Sequence, residues 1–287
     1  MPQPPHQVPG TLYVVATPIG NLEDISARAR RVLSQVDLIA AEDTRRSGAL
    51  LAHLGISKPV ESYHEHNEPQ KAASLLGALC RGSSVALITD AGVPVISDPG
   101  AHLIAQALEA GVAVSPIPGP SAVLAALSVS GFGADRFLFA GYPPRKPGQR
   151  RQFYHQLAAM AVPVVIYEAP HRVRKSLDDA IAVLGEDRPA FIAREMTKQF
   201  EEFRRGPLGQ LRAHYDAVDP LGEFTIVLGP AEPAATDPSA EGRDAAEAAQ
   251  LLARTDLPVK QACAILSAAT GLARNKAYEL ILQARDK

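Results

Sequence analysis

The chain has 287 residues, of which 46% are hydrophobic and 21% charged, with a formal net charge of -2. That length suggests about two domains with some residues to spare, and the apolar fraction is ample for a buried core. The balance excludes a disordered polyelectrolyte and a globally basic nucleic-acid coat, though not a local basic patch. Two cysteines, Cys80 and Cys263, stand far apart with no partners at metal-ligand spacing. Neither a disulfide framework nor a metal site is expected, and a reducing, cytoplasmic setting fits. No apolar run approaches the roughly 20 residues of a membrane span.

Residues 1–10 carry four prolines and no apolar stretch, so they read as a disordered lead-in rather than a secretory signal. From Thr11 onward, short β-branched runs alternate with amphipathic stretches. Strands are expected at 11–15, 38–41, 84–88, 113–117, 137–140, 162–167, 190–194 and 223–228. Between them, 69–81 sets Ala72, Leu75, Leu76 and Leu79 on one helical face. This alternation predicts an α/β fold with largely parallel pairing. The pattern pauses at 128–135, which divides an N-terminal α/β domain (11–128) from a C-terminal one (129–230). The runs at 199–205 and 223–228 read as neighbouring strands around a short helix, so part of the second sheet is expected to be antiparallel. Residues 231–242 have linker composition. The Ala-rich 243–287 contains two helical patterns broken at Thr270-Gly271-Leu272, which reads either as a helix-turn-helix or as a plain helical hairpin.

Several Gly/Pro-rich turns directly follow expected strands, where open α/β sheets collect ligands. The turn at 16–21 has neither GxGxxG nor a Walker lysine. The longer loop at 90–100 holds small residues at Ala91 and Gly92, against which a flat ligand could lie on bare backbone. In the 116–122 turn, Ser121 can cap the next helix, whose N-terminus also offers free N–H groups. Polar clusters follow other strands at 42–46, 167–172 and 194–198. Carboxylates and bases at such strand ends, among them Glu42, Asp43, Arg45 and Lys198, can serve as general acids or bases or position a substrate. Arg136, Arg145, Lys146, Arg150 and Arg151 around Tyr142 permit a nucleic-acid contact.

Six ordered strings go further: GTLYVVATPIGNLEDI at 10–25, AEDTR at 41–45, DAGVPVISDPG at 90–100, PIPGPSA at 116–122, YEAPHR at 167–172 and REMTKQFEE at 194–202. On these the chain resembles the tetrapyrrole methylase family, in its branch that 2'-O-methylates a cytidine ribose of 16S rRNA. The resemblance implies two α/β domains with S-adenosyl-L-methionine (SAM) folded in the cleft between them, plus a small C-terminal helical module. It implies SAM contacts at Pro18, Asp90, Ala91, Gly92, Val93, Ile96, Ser121 and Ala122. Glu168, Met196 and Thr225 would face the cofactor from the second domain. The implied substrate is 16S rRNA at the decoding centre of the 30S subunit, and the implied assembly a homodimer, with no membrane partner. Val93 stands where many relatives carry threonine, so a hydroxyl contact is missing there.

Overall fold

In the computed structural model, which describes residues 9–231, 238–255, 257–270 and 272–285, the chain alternates strands and helices from Thr11 onward. The first sheet is built from β1 (Thr11–Val15), β2 (Leu38–Ala41), β3 (Val60–Ser62), β4 (Val85–Ile88) and β5 (Ala113–Ile117). Its order is β3-β2-β4-β1-β5, with every pair parallel. Covered on both faces, such a sheet needs continuous apolar strands, and all four residues of β4 are buried. Helices α1 (Ala27–Gln35) and α2 (Thr44–His53) close one face through Ala29, Leu33, Leu51 and Leu54. The opposite face is covered by α3 (Glu68–Cys80) and α4 (Ala101–Glu109) through Ala72, Leu75, Leu79 and Leu103. Because α1 and α4 leave the adjacent strands β1 and β4 toward opposite faces, the sheet has its topological switch point there, where a crevice opens beyond the strand ends.

Helix α5 (Ala122–Val129) leads to the second sheet: β6 (Leu138–Phe139), β7 (Val164–Glu168), β8 (Pro189–Arg194), β9 (Glu202–Pro207) and β10 (Phe224–Leu228). Its order is β6-β7-β10-β8-β9. β10 runs antiparallel to both β7 and β8, and β8 antiparallel to β9, while β6 is parallel to β7. The expected antiparallel pairing is present, but β9 and β10 are not neighbours, because β8 lies between them. One face is covered by α6 (Pro147–Leu157), α7 (Val173–Leu184) and α8 (Leu208–Ala217). The other meets α5: Val123, Ala126 and Leu127 share a buried cluster with Val165, Phe191 and Val227, and Ile19 joins from the β1 turn. A helix that spans the expected domain break after 128 thus packs on the second sheet, and both sheets belong to one compact unit that ends at Ala231.

The fold is therefore the expected two-lobed α/β body, followed by a separate helical unit of α9 (Pro238–Ala253), α10 (Val259–Thr270) and α11 (Arg274–Arg285). That unit has its own core of Ala249, Ala262, Cys263, Leu266, Ala277 and Ile281. α9 starts at Pro238, inside the segment read as linker; proline fits the first helical turn because its missing N–H has no partner to lose there. The lead-in reading for residues 1–8, the linker reading for 232–237 and the helix break at Gly271 lie outside the described residues. No helix among the described residues is long and apolar enough to cross a membrane.

Candidate active site

The crevice at the β1/β4 switch point is held by an isolated antiparallel bridge between the two loops. Thr17 N–H donates to Gly92 O (2.8 Å) and Gly92 N–H returns a bond to Thr17 O (3.1 Å). Thr17 Oγ1 also donates to the Thr89 carbonyl at 3.1 Å. Beyond the bridge the 90–100 loop is unusually strained. Gly92 and Gly100 sit at φ +85° and +135°, and the side-chain-bearing Val95 and Ser97 at +77° and +68°. Left-handed backbone at a β-branched residue costs of order 1–3 kcal/mol and persists only where surroundings over-determine it. Here Glu68 helps to do so: its Oε1 accepts from Gly100 N–H (3.1 Å) and from the Tyr63 hydroxyl (2.8 Å).

This loop forms one wall of a chamber of about 310 Å3. Asp90, Ala91, Gly92, Val93 and Ile96 line it, with Glu42 from the end of β2 and Ser121 and Ala122 at the start of α5. The second lobe contributes Tyr142, Tyr167, Glu168 and Thr225. Ten of the residues singled out from the sequence thus meet in one place. Pro18 and Lys198 line an adjoining groove instead. Met196 is buried behind the site in the cluster shared by α5 and the second sheet. Asp43 and Arg45 line neither hollow. Asp43 caps α2, its Oδ1 accepting from Arg45 N–H at 2.8 Å, and that bond holds its carboxyl below the usual range. The Arg45 side chain is 91% exposed and, among the described residues, pairs with Asp43 alone.

The chamber is electronegative. Glu42, Asp90, Asp98, Glu168 and Glu223 line it against one guanidinium, that of Arg46. Burial, with Glu42 and Asp90 close by, pushes Asp98 up to about 6 although the Thr89 hydroxyl beside it works the other way. Burial and the Glu42 charge likewise raise Asp90, although Asp43 N–H donates to it at 3.1 Å and Arg46 lies 3.3 Å away. Thr89 Oγ1 donates to Glu42 Oε2 at 2.8 Å. Glu168 is fully buried: Oε1 accepts from Ala169 N–H (2.9 Å) beside Arg172 (3.2 Å), whereas Oε2 has no partner among the described residues. Burial lifts Tyr167 to about 12, so its ring and that of Tyr142, 5.4 Å apart, stay neutral. A negative, aromatic-sided chamber with bare backbone on one wall and a buried orphan carboxylate oxygen suits a compact organic cation with donor groups of its own. Asp98, Arg46 and Tyr167 were not singled out as site residues from the sequence, although each lies in a segment that was: the 90–100 loop, the 42–46 cluster and the 167–172 cluster.

Lys198, in the loop after β8, bridges Glu195 and Glu223 at 2.9 Å each. Burial opposes its charge, but these two carboxylates prevail and raise its pKa. Glu195 and Thr197 on either side take φ +50° and +65°. The β1 turn presses against this loop: a Cβ on Gly20 would fall 2.5 Å from Lys198 Cγ, and Asn21 N–H donates to Thr197 Oγ1 at 3.0 Å.

Solved structures with this architecture are those of methyl-transferring enzymes and of diphthine synthase. Uroporphyrin-III-C-methyltransferase from Thermus thermophilus superposes with a TM-score of 0.56 at 19% identity, over 77% of this chain and 94% of that one. Diphthine synthase does so with 0.59 at 16%, over 77% and 90%. Two α/β lobes, one with a parallel sheet and one with a largely antiparallel sheet, are thus the fold shared with these solved structures. The chain belongs to the tetrapyrrole (corrin/porphyrin) methylases, whose family model matches residues 11–212, and within them to the ribosomal RNA small subunit methyltransferase I group. Relatives of that name from Mesorhizobium japonicum and Haemophilus influenzae are 44% and 43% identical, over 96% and 97% of this chain and 92% and 98% of theirs. A second model, the RsmI C-terminal HTH domain, matches residues 239–285.

Proposed function

We propose that this methyltransferase moves the methyl group of SAM to the 2'-oxygen of a cytidine ribose in the decoding centre of 16S rRNA, on the assembled 30S subunit. The observation that carries the donor half is the chamber's charge: five carboxylates and two tyrosine rings around one guanidinium suit a ligand that is a sulfonium and an ammonium at once. The acceptor half rests on the relatives, whose names specify small-subunit ribosomal RNA. Asp90, Ala91, Gly92, Val93, Ile96, Ser121, Ala122, Glu168 and Thr225 would hold the donor. The unpartnered Glu168 Oε2 supplies bonding capacity to it. When bound, the donor supplies an electrophilic methyl and needs no metal.

The chain's own task is to bring the hydroxyl into line and to take its proton. Glu42 is suited to the second part. Its Oε2 is held by Thr89, which leaves Oε1 to accept the ribose proton as the oxygen becomes a nucleophile. Lys198, kept cationic by Glu195 and Glu223, would steady the charge that develops on that oxygen. The homodimer belongs to the same reading; exposed Phe200 and Phe203 beside the open edge of β9 give a second copy apolar surface to cover.

The test is transfer of labelled methyl from SAM to purified 30S subunits lacking their decoding-centre methylations, beside free 16S rRNA and a porphyrinoid precursor. Label mapping to a cytidine ribose oxygen in subunits is the expected result. Label in the porphyrinoid, or in no RNA, refutes the acceptor assignment.

A further inference from the structure

Next to the chamber lies a second hollow of about 290 Å3, with Ile19, Arg46, Asp90, Ala91 and Glu223 as the wall common to both. Its chemistry is different. Arg46 reaches it from the first turn of α2 and Lys198 from the loop after β8, so two cations face it from opposite lobes. Asp90 and Glu223 only balance them, whereas the chamber holds five carboxylates to one cation. Apart from Lys198 the remaining walls are apolar, with Pro18, Leu22 and Leu50 among them, and Leu22 is exposed. Arg46 is loosely matched: its one carboxylate lies at 3.3 Å and its side chain is 68% exposed.

A ribose inside a folded RNA is reached by unstacking its nucleotide, and the phosphates on either side then need cations while the base needs an apolar surface. The groove offers those groups in that arrangement, one wall away from the donor chamber. Building on the reading above, we propose that this groove seats the acceptor nucleotide. The base lies over Leu22 and Leu50, the ribose meets the common wall at Asp90 and Ala91 with Lys198 toward its 2'-oxygen, and Arg46 holds a flanking phosphate. Arg46 is then a substrate-binding residue, and its neighbour Arg45, outside the groove, is not.

The experiment measures methyl transfer to 30S subunits at several salt concentrations, together with donor affinity by calorimetry, for wild type, Arg46→Ala, Arg46→Lys and Arg45→Ala. Loss of one phosphate contact predicts that Arg46→Ala raises KM for subunits about five- to tenfold and lowers the salt slope by about 1, with donor affinity unchanged. Arg46→Lys is expected to recover the slope, a result that mere repair of packing would not produce. Arg45→Ala removes the same charge from the same helical turn and is expected to behave as wild type. Weakened donor binding in Arg46→Ala, an unchanged slope, or an equal effect from Arg45→Ala overturns the proposal. Absence of any label with wild type, donor binding intact, overturns the acceptor assignment itself, a failure visible before any variant is compared.

Discussion

The two walls of the donor chamber are made in different ways. The wall from the first lobe is a loop, held in left-handed conformations at Gly92, Val95, Ser97 and Gly100 by bonds from Thr17 and Glu68. The wall from the second lobe is the end of a strand ladder, where Glu168 and Phe224 stand opposite each other in the β7–β10 register and Thr225 follows one rung further in. The loop wall gives the ligand backbone and close approach; the ladder wall gives it fixed side chains. A strained loop is sensitive to any change in backbone freedom, and a ladder to any change in buried charge.

That contrast can be broken first on the ladder side, where the largest effect is expected. Glu168→Ala strands the Arg172 guanidinium, itself only 14% exposed, without its carboxylate. A loss of about 3 kcal/mol in urea unfolding is expected; a loss below 1 would show that the ladder wall tolerates lost charge. Turnover is the next lever. If Glu42 is the base, Glu42→Gln keeps the acceptor for Thr89 and slows methyl transfer about 100-fold with donor affinity unaltered. Unchanged turnover removes Glu42 from that role.

On the loop side, Gly100→Ala introduces a Cβ 2.7 Å from Leu87 Cδ2 at φ +135°, for an expected cost of about 2 kcal/mol together with weakened donor binding. Gly185, at φ +89° with nothing within 4 Å, is the control in the second lobe. There the same substitution is expected to cost about 1 kcal/mol and leave donor binding alone. Equal binding losses would erase the distinction between strained loop and ordinary helix end. The smallest effect concerns Asp98. Its folded pKa, about 6, lies above the ordinary 3.8, so between those values the native state keeps a proton that the unfolded chain has lost. Stability therefore falls as pH rises through that window. Asp98→Asn should gain on wild type above pH 6 and not below 3.8, by at most about 1 kcal/mol because the carboxyl is still partly wetted. Parallel melting curves at the two pH extremes would refute it.

Much of the first sheet was readable because β1, β4 and β5 are apolar runs that each lead into a Gly/Pro turn, and the turns after β1 and β4 also mark the loop wall. β3 escaped, since Val60, Glu61 and Ser62 form an edge strand too short to show a period. The order of β8, β9 and β10 escaped for another reason: local pattern shows that strands exist, whereas the intrusion of β8 between its neighbours is settled by long-range pairing. The same holds within the site. Ala91, Gly92 and Ser121 announce themselves by small size and turn chemistry. Asp98 acquires its character only when folding brings Glu42 and Asp90 beside it. Arg45 and Arg46 are adjacent and alike, and helix phase separates them, turning Arg45 onto the Asp43 cap and Arg46 into the groove.

The contact at Gly20 has a mechanical side. The β1 turn and the loop after β8 meet there with no room for a single added carbon, and Asn21 is tied across the junction to Thr197. A seam without slack cannot slide. A side chain at position 20 would therefore have to pry the two loops apart, because Lys198 and Thr197 already fill the space it needs.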